Sequence, residues 1–397
     1  MTLDIFLDSK ESKCKCTEDK LGRRHCIPII YTRGSHYDVG FDIGRTFSSL
    51  IASLLEISVP LNESYLPLYE TAAGRKVYDD TLCAVKKRMP QYIEELEGTA
   101  DGAKVPFHKL FLLHSDDILP NVVEKRNNNV DVNHGCTTIC INQPGAELLC
   151  HTEDALTEDL NHFYFVACDI DGPNGTKEKF TSLCYAGHLP GYTMGYNQHG
   201  LVYSINTIQA LNLRSGKTPR HFLGRALLAA KSIRDVKCIL EDAGCGAADA
   251  FSVNATFLDD KPRVFYNIEV APADDDQDQS LIDATCAGPG KNLVHCNRLL
   301  RLKTPEVEGF IIENSQARMD ELDKRGTAKC KLDAINALGD QSRTDHNIFQ
   351  DNGPDDYVKT IAVGIFDCIE RTWAIYDDNP KSCEPSVILP LRVDSKC

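Results

Sequence analysis

The sequence predicts an α+β fold, and three features predict it. Helical periodicity dominates the first 135 residues, closely spaced strands begin at Cys136, and later helical segments come bunched between groups of strands. Alternating βαβ units, the mark of a parallel sheet, are missing from the pattern. Nothing repeats internally, so the 397 residues read as one fold in three stretches. These are a polar tail at 1–26, a helical segment at 27–135 and a strand-rich remainder at 136–397.

Residues 39–57 space their apolar side chains as an amphipathic helix does; 78–103 do the same, with Pro90 forcing a break. Glu124-Lys125-Arg126-Asn127-Asn128-Asn129 is polar and turn-prone, an exposed connection. β-branched and aromatic runs then predict strands at 137–142, 148–151, 163–170, 180–186, 192–196 and 201–206. Residues 220–241 carry Leu223, Leu227 and Leu240 at helical spacing and stop at Asp242-Ala243-Gly244. Strands at 250–258 and 263–270 precede the solvated loop Asp274-Asp275-Asp276-Gln277-Asp278. A strand at 293–296, a helix at 315–338 and strands at 358–366 and 372–376 complete the reading.

Composition narrows the function classes. With 42% hydrophobic and 25% charged residues the chain is an ordinary globular protein. Its 43 Lys and Arg stand against 58 Asp and Glu, a net charge of −15. Such a surface repels nucleic acid and anionic membranes, attracts a cationic small molecule and aids solubility. No apolar run has the length of a membrane span. Asp4, Asp8 and Lys10 interrupt the opening, leaving no secretory core, so the 17 cysteines are expected as reduced thiols in the cytoplasm. Cys14-Lys15-Cys16 with His25 and Cys26 is spaced too tightly for a zinc site; neither metal nor cofactor is predicted.

The chemistry concentrates at Gly135-Cys136-Thr137-Thr138, between the polar connection and the first strand. A chain broken before Cys136 puts a thiol and a free α-amine on one residue. That amine, with an ordinary pKa of about 7.7–8.0, suits a general base near neutral pH. Gly135 and Cys136 are therefore the expected cleavage site: the thiol attacks the Gly135 carbonyl, and water resolves the thioester. Thr138 shares a strand face with Cys136, where its hydroxyl assists the shift. His151 and His199 raise a Cys–His alternative, which a nucleophile carrying its own base does not require.

Segments on both sides carry a wider pattern. Ile30-Tyr31-Thr32-Arg33-Gly34, Met89-Pro90-Gln91-Tyr92-Ile93-Glu94-Glu95-Leu96-Glu97-Gly98, Gly195-Tyr196-Asn197-Gln198-His199-Gly200-Leu201 and His295-Cys296-Asn297 belong to it. With Cys136 and Asp154 they resemble the acyl-CoA:6-aminopenicillanate acyltransferase family of self-processing N-terminal nucleophile hydrolases. The resemblance implies a four-layer αββα sandwich whose two chains stay associated as a heterodimer after self-cleavage. It implies Cys136 as nucleophile, Asp154 as the acidic residue that orients the new amine, and Asn297 as oxyanion donor. Asn206, after a strand, is placed to hydrogen-bond that amine. One position departs: Asn347-Ile348-Phe349-Gln350 stands where the acyltransferase carries a late Arg.

Three further stretches are similar to a branch of the family that hydrolyses β-alanyl amides. They are Tyr65-Leu66-Pro67-Leu68-Tyr69, Lys109-Leu110-Phe111-Leu112-Leu113-His114 and His151-Thr152-Glu153-Asp154-Ala155-Leu156-Thr157-Glu158. The expected partner is then a small β-alanyl amine, formed from dopamine or histamine. Its ammonium calls for carboxylates, Glu153 and Glu158 beside Asp154, and its amine half for an aromatic wall. Tyr192 and Tyr196 are the candidates for that wall, with Phe163 and Tyr164 as further possibilities or core. Acyl transfer to an amine, and an uncleaved binding protein without activity, are the alternative readings.

Overall fold

The computed structural model describes residues 22–116, 118–124, 135–172, 175–273, 277–343, 345–353 and 356–394. Most of the polar tail with Cys14 and Cys16, most of the Asn-rich connection and acidic residues 274–276 lie outside them.

The first part opens with β1 (Ile29–Gly34), then α1 (His36–Thr46), α2 (Ser48–Ile57), α3 (Leu66–Tyr69), α4 (Ala72–Arg88), α5 (Pro90–Ala103), α6 (Phe107–His114) and α7 (Ile118–Val123). Ser35 caps α1 in a reciprocal box with Asp38, and Pro90 opens α5 where its missing N–H costs nothing. Gly40 on α1 meets α5 backbone to backbone: a methyl there would lie 1.9 Å from the Glu95 carbonyl oxygen. The stretch is not wholly helical. β1 pairs in parallel with a strand from beyond residue 136 and sits at a sheet edge, with Ile29 and Tyr31 exposed. Its one-sided exposure hides the usual apolar signature of a strand.

Past residue 136 come β2 (Thr137–Gln143), β3 (Ala146–Leu156), β4 (Phe163–Asp171), β5 (Lys177–Tyr185), β6 (Met194–Asn197) and β7 (Leu201–Thr207). Helices α8 (Arg220–Leu227) and α9 (Ile233–Glu241) precede β8 (Phe251–Phe257), β9 (Phe265–Pro272), β10 (Ser280–Ala287) and β11 (Leu293–His295). Then follow α10 (Phe310–Arg325), α11 (Lys331–Leu338), β12 (Val358–Asp367), β13 (Thr372–Tyr376) and β14 (Val387–Pro390). Two expected helices are each divided. Ser232 caps a new start at α9, and Gly326, at φ +73°, ends α10.

The strands form an eight-stranded sheet, β1-β4-β5-β6-β7-β8-β9-β10, and a six-stranded sheet, β11-β2-β3-β12-β13-β14. Nearly every pairing is antiparallel, as the α+β reading expects. One apolar cluster joins the early helices and α8 to the larger sheet through Val39, Phe111, Tyr164 and Phe222. A second, around Phe165, Phe265, Phe366 and Trp373, draws on both sheets. A third packs Leu322 of α10 and Leu338 of α11 against Ile139 and Ile365 of the smaller sheet.

A charged knot lies inside this apolar frame. Arg225 of α8 donates to Glu95 of α5 at 2.8 Å and to Glu178 of β5 at 2.8 Å. His36 of α1 lies 2.8 Å from Glu95, and Arg225 and Glu95 are fully buried. Burial is the largest single influence on the Glu95 carboxyl and pushes it up, but Arg225 and His36 together outweigh it and hold the group below its usual range. Among the described residues no helix is long and apolar enough to cross a membrane.

Candidate active site

Local sequence sets the geometry around Cys136. Pro144-Gly145 turns β2 directly into β3, with Gly145 at φ +79°. That tight turn locks the register Thr137↔Thr152 and Thr138↔His151, so Cys136 emerges beside Glu153 and Asp154. β3 runs on to Leu156 rather than stopping near His151, which places both acids within the strand. On the far side of β3 the pairing with β12 slips between Thr360 and Ala362, a bulge beside Asp154. Thr360 donates its hydroxyl to Asp154 Oδ1 at 2.6 Å.

The Cys136 side chain is buried, and burial with the nearby Glu153 and Asp154 carboxylates pushes its thiol well above the usual range. The Asp154 backbone N–H and Arg318 pull the other way. Asp154 itself is raised to about 7 by burial, against Arg318 and the Thr360 hydroxyl. A carboxyl poised there is half ionised near neutral pH.

Two side chains that the sequence reading did not select hold the centre. Arg318, fully buried on α10, donates to the Cys136 carbonyl at 2.8 Å, Thr137 Oγ1 at 2.8 Å, Asn297 Oδ1 at 2.7 Å and Asn314 Oδ1 at 2.7 Å. The available signal was an arginine on the buried face of α10, at helical spacing between Asn314 and Leu322. Gln350 donates to the Gly135 carbonyl at 3.2 Å and to Asp154 Oδ2 at 3.1 Å. It occupies the stretch already noted as departing from the late Arg. A methyl on Gly135 would sit 2.5 Å from Arg318 Nη2 and 3.0 Å from Gln350 Nε2. A side chain there would have to push aside the ends of Arg318 and Gln350, so glycine suits the position by close approach rather than by a left-handed backbone.

The remaining predicted residues divide. Asn297, just past β11, has its oxygen fixed by Arg318 and one N–H on the Thr207 carbonyl at 2.8 Å. Asn206, at the end of β7, donates to the carbonyl of Cys136 at 3.0 Å, so its contact is with that residue's oxygen. Thr138 donates to Asn206 Oδ1 at 2.9 Å and meets His151 Nδ1 at 2.7 Å. Glu158 accepts from the Val59 backbone at 3.2 Å. Tyr196 does not reach the site. Strand alternation on β6 points it into the core between the sheets, against Trp373 and with its hydroxyl on the Pro390 carbonyl. Phe163 and Tyr164 are likewise core.

Cys136 opens into a cavity of about 570 Å³. Asp116, Glu153, Asp154, Glu158 and Asp159 line it, and among the described lining residues the one guanidinium is Arg220. Burial and mutual repulsion push Asp159 well above its usual range, and burial raises Glu158. Another wall is aromatic. The Tyr192 ring lies 4.2 Å from His221, and His188 lies 5.3 Å from His221. Burial keeps His221 neutral, lowering it to about 3, and lowers His188 as well. Such a cavity attracts a cation that also carries a flat ring.

Cys136 Sγ, a His151 nitrogen and a Glu153 oxygen lie within 4.8 Å of one another, the metal-compatible grouping among the described residues. His151 Nε2 and Glu153 Oε2 already bond to each other at 3.2 Å, so the grouping reads as a proton-sharing pair beside a thiol.

Two comparisons bear on this geometry. The family described as acyl-coenzyme A:6-aminopenicillanic acid acyl-transferase matches residues 140–382. A β-alanyl-dopamine/carcinine hydrolase of Drosophila melanogaster is 50% identical over 378 residues, spanning 94% of this chain and 98% of its own length.

Proposed function

From the premise that this chain belongs to the acyl-coenzyme A:6-aminopenicillanic acid acyl-transferase family, we propose that it is a self-processing amidohydrolase. It cuts itself between Gly135 and Cys136, and the two chains remain together as a heterodimer. It then hydrolyses β-alanyl amides: β-alanyldopamine to dopamine and β-alanine, and carcinine to histamine and β-alanine. The observation that carries the substrate is the cavity, whose described lining sets carboxylates and one arginine around a space that the thiol shares. Helices against the outer face of each sheet, with apolar packing between the sheets, support a four-layer αββα sandwich.

In the uncut chain Gln350 donates to the oxygen of the scissile Gly135 carbonyl. As Cys136 Sγ attacks, that donor meets the growing negative charge, and water then cleaves the thioester. The freed amine lies beside Asp154, whose carboxyl orients it. The amine takes the thiol proton, sulfur attacks the substrate amide, and the amine product leaves carrying that proton; water then hydrolyses the β-alanyl thioester, releasing β-alanine and restoring the thiol. Asn297, its oxygen held by Arg318, directs its remaining N–H at the substrate oxyanion. Glu153 and Glu158 receive the β-alanyl ammonium, and Tyr192 with His221 stacks on the ring of the amine half.

The test is intact mass and N-terminal sequencing of wild type beside Cys136→Ala. Wild type should give chains of about one third and two thirds of the 44.1 kDa total, the larger beginning Cys136-Thr137-Thr138. The variant should stay whole. Purified wild type should release β-alanine from β-alanyldopamine. A single uncut wild-type chain, or cut protein that leaves the substrate intact, would overturn the assignment.

A further inference from the structure

Self-cleavage poses a problem that substrate hydrolysis does not. Before the cut, the nitrogen of Cys136 is an amide and offers no base, while the thiol is buried and holds its proton firmly. The side chains within reach must supply the proton transfer. Asp154 spends one oxygen on Thr360 and the other on Gln350. His151 and Glu153 have donor atoms within 4.8 Å of Cys136 Sγ.

Hydrogen-bond accounting fixes where their protons sit. Arg301 donates to Asn267 Oδ1 at 2.9 Å, and a guanidinium cannot accept. That orients Asn267, which donates to Asn254 Oδ1 at 2.9 Å. Asn254 in turn donates to Asn206 Oδ1 at 2.7 Å. Asn206 Oδ1 is therefore an acceptor, and the Thr138 hydroxyl spends its only proton on it. Thr138 Oγ1 is left to accept from His151 Nδ1 at 2.7 Å. With Nδ1 protonated, His151 Nε2 faces Glu153 Oε2 at 3.2 Å, and Tyr185 donates to the other Glu153 oxygen. Two lone pairs do not hold that contact without a proton between them. The pair is a buried proton-sharing unit, and the amide chain that sets its polarity starts at Arg301 in another part of the fold.

We propose that the His151–Glu153 pair carries the Cys136 thiol proton to the Cys136 amide nitrogen during self-cleavage. The step rests on the reading above that the chain cuts itself. Sulfur bonds to the Gly135 carbonyl carbon as its proton passes to the pair. The carbon–nitrogen bond then breaks while the pair returns a proton to nitrogen, leaving a free amine and a thioester. Water hydrolyses the thioester to the Gly135 carboxylate and restores the thiol. Once the amine is free it takes over as base, so His151 serves maturation far more than turnover, while Glu153 goes on to receive the substrate ammonium.

The experiment follows cleavage in cell-free translation for wild type, His151→Gln and Glu153→Gln, with and without hydroxylamine. Each glutamine retains hydrogen bonding but shuttles no proton, and thermal melting matched to Cys136→Ala confirms folding. Both variants should cleave about 100-fold or more slowly, the scale of a lost general acid–base. Hydroxylamine should not rescue them, because the block precedes the thioester. His151→Gln protein that does become cut should lose less than tenfold in kcat per titrated thiol. Cleavage at the wild-type rate, rescue by hydroxylamine, or equal losses in cleavage and kcat would each overturn the proposal. A wild-type chain that never cuts sinks the self-processing reading instead, so the two failures are distinguishable.

Discussion

Asp154→Asn, introduced into a Cys136→Ala background so that both proteins stay uncut, isolates the cost of ionising one buried carboxyl. Asp154 is raised from 3.8 to about 7 by burial. Because the folded-state pKa lies above the unfolded one, the folded chain binds that proton more tightly. Its contribution to stability is complete below the unfolded value and is lost as pH rises through about 7. At 1.36 kcal/mol per unit, the full loss is about 4 kcal/mol, and more than half of it falls between pH 5 and pH 8. Asparagine does not titrate, so the variant lacks this slope. Hydrogen bonds that it loses to Thr360 or Gln350 shift its stability by an amount independent of this titration. Urea unfolding followed by the single tryptophan, Trp373, buried between the sheets, reads the difference. The two proteins should diverge by about 2–3 kcal/mol over that pH range, the variant gaining at high pH. Parallel slopes would show that Asp154 is ionised without penalty and would refute the argument from burial.

Four further outcomes are expected. Asn297→Ala should lower kcat roughly 10²–10³-fold, and full-rate turnover by a normally cut variant would remove Asn297 from the oxyanion site. Arg318→Met strands the side-chain oxygens of Asn297 and Asn314 and leaves the Cys136 carbonyl with Asn206 alone, so melting should show a loss of about 3 kcal/mol or more and gels should show failed cleavage. The KM for a cationic β-alanyl amide should fall as pH rises through the range of Glu158, which burial lifts above the ordinary carboxylate value and which must ionise to receive the ammonium, whereas the propionyl isostere should show no such trend; matching profiles would dismiss the acidic subsite. Tyr196→Phe should lose about 1 kcal/mol of stability with its bond to Pro390 and leave turnover within twofold.

Much of the frame was legible because its signals are local. Pro90 divides α4 from α5 as its ring requires, and the runs at 137–142 and 201–206 fall inside β2 and β7. Cys136 and Asp154 were legible through their spacing and family resemblance, and the tight Pro144-Gly145 turn brings them together. What escaped depends on distant partners. Arg318 looked like one more polar residue of an amphipathic helix until Asn297 and the Cys136 carbonyl came to meet it. Gln350 was noticed only as the absence of an arginine, yet its amide reaches both Gly135 and Asp154. Tyr196 failed as an aromatic wall because the pleat, which resemblance does not reveal, turns it inward.

The charged knot of Arg225, Glu95, Glu178 and His36 joins segments from both sides of residue 135. Pulling those segments apart after the proposed cut would break these buried ion pairs, so the halves would hold without a covalent tether. With the cut proposed above, the same knot would make maturation a ratchet for folding. The uncut chain closes its contacts within one molecule, while two severed pieces must first find each other in solution. Thermal recovery of the cut protein should therefore rise with its concentration, and that of the Cys136→Ala chain should not. A cell would renew such a protein by synthesis rather than by repair.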